Sequence, residues 1–253
     1  MRKVTLGGHA VQLYDSIDEL PMVRFHKYTK MLLVDAGVGS DINDFDRHIE
    51  RAALYIRKGD NENAAKEMEN LRQNVYLILQ EQSVMDLSFA CLVAAIDGKE
   101  CADLSDDSLA EVLHTLGGTP RKDIADSLES AKKKIDGELA TYFPDLFDDV
   151  AAREYFDILK RRTVAVLEGI IEDDIDKNKQ QVDAMTEQMI LYVKPKTFAG
   201  RQSVEIAHDK AFEDMCLLIT RDTHADAKKM TVLEFYNAYE FIVRQAKKAN
   251  KAR

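Results

Sequence analysis

Along most of this chain apolar residues recur at alternating spacings of three and four, the pattern of helices with one buried face. The start differs. Residues 3–6 and 10–14 are short β-prone runs separated by Gly7-Gly8, which predicts a β-hairpin with a tight glycine turn. A lone hairpin is marginal in water, so it is expected to pack on the body or pair with another chain.

Ser16 and Glu19 have capping-box spacing and predict a helix start, with Met22, Phe25, Tyr28, Met31 and Leu32 on one face. Ser40 or Asp41 caps a second helix, expected to bury Ile42, Phe45, Ile49, Ala52, Ala53 and Ile56 before Gly59 stops it. The clearest periodicity follows. Ala64, Met68, Leu71, Val75, Ile78, Gln82, Met85, Phe89, Leu92 and Ile96 predict one long bundle helix ending at Gly98, or two shorter ones broken near Gln82-Ser83. Ser105 caps a short helix that ends at Gly117-Gly118. Thr119-Pro120 opens another, with Ile124, Leu128, Ala131, Ile135, Leu139 and Tyr142 inward. A helix from about Val150 is expected to bury Tyr155, Phe156, Leu159, Val166, Leu167 and Ile170. Phe212, Cys216, Leu217 and Ile219 belong to a helix from about Glu205, and a second capping box, Thr231 with Glu234, opens the last one. The fold class is therefore all-α, a multi-helix bundle with a small N-terminal β-hairpin. The best domain division falls at Gly118, giving parts 1–118 and 119–253. No flexible linker separates them, so one continuous body is the alternative.

Composition narrows the function. Gly 11 and Pro 4 in 253 residues are too few for an all-β fold with many tight turns. The net charge of -10 argues against a general nucleic-acid coat, which has to neutralise phosphate. No apolar run approaches the roughly 20 residues of a membrane span. Cys91, Cys101 and Cys216 stand singly, as reduced thiols in a cytosolic setting would.

Candidate chemistry is sparse. Two Glu-x-x-His pairs, Glu111 with His114 and Glu205 with His208, have the spacing that di-metal carboxylate bundles use. They keep a helical-bundle di-metal enzyme as an alternative. No phosphate-cradling glycine loop and no serine elbow is present, and no cofactor is expected. The C-terminus stands out in an acidic chain. Phe235, Tyr236, Tyr239 and Phe241 run into Arg244, Lys247, Lys248, Lys251 and Arg253, with no acidic residue from 241 onward. One reading is a docking segment, carried by Tyr236, Tyr239, Arg244, Lys247 and Lys248, for an acidic protein partner or for nucleic acid. The other is a core helix whose basic end complements the helix dipole.

The stretch Met230-Thr231-Val232-Leu233-Glu234-Phe235-Tyr236-Asn237-Ala238-Tyr239-Glu240 resembles the closing helix of tailed-phage morphogenesis proteins such as tail assembly chaperones. The opening stretch from Leu13 to Pro21, continued by Phe25-His26-Lys27-Tyr28, resembles proteins of phages that infect gut Bacteroidetes. The resemblance implies a non-enzymatic structural or assembly role. It would be exerted on other phage proteins or on copies of this chain, in the host cytoplasm or in the virion. A regulator binding nucleic acid through the basic tail is a further alternative.

Overall fold

The computed structural model describes residues 1–80, 83–147, 150–172, 174, 176 and 178–251, with backbone only at 150–152 and 249–251. Gln82 of the long stripe, Arg253 and the Lys251 side chain lie outside the described residues.

The chain opens with β1 (Arg2–Leu6) and β2 (His9–Leu13), antiparallel with Leu6 opposite His9. Gly7 and Gly8 turn between them at φ 57° and 88°, the left-handed pair that a two-residue hairpin requires. The predicted hairpin is present, and it is half of a larger sheet. β3 (Val93–Ile96) pairs with β2, and β4 (Lys99–Glu100) pairs with β3, giving the order β1-β2-β3-β4. The hairpin therefore finds its neighbour within the chain.

This corrects the single long helix. The stripe is divided among α3 (Asn61–Leu79), α4 (Val84–Leu92) and β3. Ser83 caps α4 through its side chain, and Val93 leaves the helix in extended conformation. Arg24 secures the change of structure. Its guanidinium is buried and donates to the carbonyls of Cys91 and Val93 at 3.1 and 3.0 Å, and to that of Cys101. Carbonyls at a helix end lack intrahelical partners, and a buried cation supplies them.

The main core forms around α1 (Met22–Gly37), α4, α5 (Asp106–Thr115), α6 (Arg121–Tyr142), α10 (Val204–Thr223) and α11 (Val232–Lys251). One apolar cluster draws on residues from both sides of Gly118. α6 follows its predicted stripe, burying Ile124, Leu128, Ala131, Ile135 and Leu139, whereas Tyr142 is exposed. Ser16 does not cap α1. Its hydroxyl donates to Glu138 on α6, at 2.8 and 3.0 Å to the two carboxylate oxygens. The start of α1 is instead joined to that of α11. Met22 N–H donates to the Met230 carbonyl, Val232 N–H to Leu20 and Leu233 N–H to Ile17, each at 2.9 Å. Thr231 and Glu234 form the predicted reciprocal cap of α11.

Two helical hairpins stand beside this core. α2 (Ile42–Arg57) is opened by an Asp41–Asp44 capping box and packs on α3. The short α7 (Pro144–Phe147) leads to α8 (Val150–Ile171), which pairs with α9 (Lys179–Ile190) through a small separate cluster of Ile158, Ala165 and Met185. Among the described residues no helix is long and apolar enough to cross a membrane.

Candidate functional site

The four metal-ligand candidates do not converge. Glu111 lines one cavity, beside Asp97 and Asp103, while His114 lines another together with Glu205. His208 is committed elsewhere. Its ring stacks on His26 of α1 with centroids 4.5 Å apart, and His26 stacks in turn on Phe212 at 4.1 Å. His26 Nε2 is 2.9 Å from Asp209, whose other oxygen accepts from Lys30 at 2.7 Å. Burial lowers the His26 pKa, outweighing the hydrogen bond to Asp209. The Asp209 carboxyl is raised by burial, but hydrogen bonds from Lys30 and His26 win and hold it below its ordinary value. The arrangement ties α10 to α1. Among the described residues no three His, Cys, Asp or Glu side chains are grouped to hold a metal ion. The thiols are not activated either: burial raises all three, Cys91 to about 12.

The C-terminal helix divides in two. Tyr236 belongs to the core, which removes it from an exposed docking set. Its ring packs edge-on against Phe25, Phe147 and Phe235 and is tilted against Phe143. Tyr239 is half-buried against the same cluster. Beyond the buried Ile242, the charged residues Arg244, Lys247 and Lys248 are exposed, and Arg244 pairs with Glu240 one turn back, at 3.7 Å.

The largest departures from the periodic reading are two apolar faces turned outward. In α2, Ile42, Ile49 and Ile56 recur every seven residues and are 63%, 45% and 59% exposed; the buried side chains are His48, Ala52, Leu54 and Tyr55. In α3 the buried face is polar, with Asn63, Glu67, Asn70 and Asn74 inward, while Met68 and Leu79 lie in solvent and Leu71 and Val75 are half-covered. His48 and Glu67 meet across the hairpin at 2.7 Å. Ile49 and Met68 each follow one of them, about 100° further round. The helices run antiparallel, so equal rotations turn both stripes to the same side of the hairpin. α8 repeats the situation. Phe156, Val166, Leu167 and Ile170, expected inside, are exposed, because α9 covers only the Ile158–Ala165 side.

On the inward side of the α2–α3 hairpin, where α8, α9 and residues 193–198 approach it, lies a cavity of about 530 Å³. Part of its lining is a buried polar network. Glu67 accepts from Arg51 Nε at 2.5 Å on one oxygen and meets His48 Nδ1 on the other, while His48 Nε2 is 2.9 Å from the Val38 carbonyl. Arg51 also reaches the Val193 carbonyl. Phe198 closes one end over Gly37, where a Cβ would come within 2.2 Å of the ring. Sequence periodicity passed over this site because its residues are the polar members of helices scored for their apolar ones. The available signal was the polar row itself, spaced four, three and four from Asn63 to Asn74. No family model, curated protein or solved structure matches the chain.

Proposed function

We propose that this chain is a non-enzymatic structural or assembly protein of a tailed phage, working through protein–protein contacts. The observation that carries the contact half is the outward apolar side of the α2–α3 hairpin, with Ile42, Ile49, Ile56, Met68 and Leu79 in solvent. Isolated exposed apolar residues are ordinary, but a two-helix face of them marks an interaction surface. Helices with such stripes bind other helices by interdigitating them. The α8 face adds a second surface on a different hairpin. Arg244, Lys247 and Lys248 add a basic patch suited to an acidic rim. The phage half rests on the sequence resemblances at the two ends of the chain.

The test is affinity capture from the phage-infected host with a tag inserted at the exposed Gly117-Gly118 turn, comparing the wild type with Ile49→Glu and Leu167→Glu. Both sites are exposed, so each variant is expected to keep the wild-type melting temperature. The reading requires head, neck or tail proteins to be recovered with the wild type and lost with at least one variant. Recovery of the bait alone, or capture indifferent to both substitutions, would refute it.

A further inference from the structure

The 530 Å³ cavity lined by α2, α8, α9 and residues 193–198 carries a charge opposite to that of the chain. Arg47, Arg51, Arg162, Lys194 and Lys196 line it, against the carboxylates of Glu50 and Glu67. Five cations stand against two lining anions, and Asp44, 2.9 Å from Arg47, offsets one more, which leaves an excess of two positive charges in a protein whose net charge is -10. Like charges around a partly enclosed space repel one another and are costly to desolvate unless an anion joins them. The internal partners do not remove the excess. Glu67 is fully engaged with Arg51 and His48. Arg162 donates its Nε to Thr186 at 2.7 Å, and its two terminal nitrogens have no partner among the described residues. Arg47 Nη2 is buried 2.9 Å from Asp44 Oδ1, at an angle that makes no hydrogen bond. Lys194 and Lys196 are exposed and form no ion pair among the described residues.

The rest of the wall is apolar, with Tyr155 and Phe198 among its members. A space of this size, mostly apolar with a few convergent polar groups, is the common form of a small-molecule site. Guanidinium groups with unfilled donors match the paired oxygens of phosphate, and an excess of two calls for more than the single charge of a carboxylate. We infer that this cavity binds an organic polyphosphate of the nucleoside diphosphate class, with its phosphates on Arg162, Arg47 and the two lysines and its flat ring against the aromatic wall. The site lies on the inward side of the hairpin and stands independently of the assembly reading.

The experiment uses the full chain and the fluorescent probe N-methylanthraniloyl-ADP, followed by anisotropy. Saturable binding is expected that weakens with added salt and is displaced by ADP and pyrophosphate far better than by adenosine. Arg162→Gln should weaken it roughly ten- to a hundredfold, the effect of losing charge-assisted hydrogen bonds. Lys194→Gln with Lys196→Gln, both at exposed positions that no fold contact depends on, serves as the second variant should Arg162→Gln melt early. It should weaken binding and flatten the salt dependence. No binding at millimolar probe, displacement by adenosine as good as by ADP, or affinity unchanged in both variants would overturn the assignment.

Discussion

Glu67 is the buried carboxylate that meets two side chains of the neighbouring helix, the His48 ring and the Arg51 guanidinium, at 2.7 and 2.5 Å. Replacing it with alanine leaves both without their partner in a site that is 2% exposed. Breaking such a pair costs about 3–5 kcal/mol, far more than the intact pair contributes. Glu67→Ala is expected to lower the melting temperature more than any single substitution on the exposed side of α3, as calorimetry would check. His26 makes a second prediction at this scale. Its pKa is lowered from 6.5 in the folded protein, so between the folded value and 6.5 the unfolded chain binds more protons. Stability is therefore full above about pH 6.5 and falls as the solution is acidified. Asp209, also lowered, adds a further loss once the pH falls below its ordinary value of 3.8. Melting curves across pH 5 to 7 should show the decline, and His26→Phe, which keeps the stack on Phe212, should flatten it. Neither network was legible beforehand. Spacing shows which residues share a helix face, but not that a row of Asn and Glu will be the face turned inward.

At the scale of elements, the largest surprise is the strand at 93–96. Its signal was local. Asp97-Gly98 is the two-residue turn that favours a hairpin, and the two residues adopt φ 50° and 82°. Heptad counting overrode it because Leu92 and Ile96 also fit the helical register. Gly98→Ala should destabilise the β3–β4 turn by about 1 kcal/mol, since alanine tolerates positive φ poorly. Asp97→Ala should also lose the carboxylate that accepts from Ala10 N–H at 2.8 Å and meets His9 at 2.6 Å. Amide exchange at Ala10 would report it. Where one pattern was unopposed, as along α6 or at the Thr231 cap, the sequence was sufficient.

At the scale of the molecule, the helical class was legible because periodicity and low Gly and Pro content agreed. The sidedness of α2, α3 and α8 was not, because it depends on which surface lies next to each helix. α11 shows the same limit. A chain ending at Lys248 should melt no differently from one ending at Arg244, since the side chains of residues 245–248 are all exposed. A chain ending at Asn237 loses Tyr239 and the buried Ile242 and should melt several degrees lower, each buried side chain contributing about 1.5–3 kcal/mol. Equal melting of the Arg244 and Asn237 truncations would show that the second half of α11 stabilises nothing.

The backbone bonds joining residues 17–22 to residues 230–233 also set a timetable for biosynthesis. At about 5–20 residues per second, a ribosome needs roughly 10–40 seconds to travel from one side of this junction to the other. Through that interval the first turn of α1 has emerged without the strand-like contact at Thr231 and the Tyr236 ring that later packs on Phe25. The nascent chain must wait, with Leu20 and Phe25 uncovered, until its last helix is released. A stalled nascent chain halted before Thr231 should therefore be a better chaperone client than one halted far enough past α11 for that helix to clear the exit tunnel.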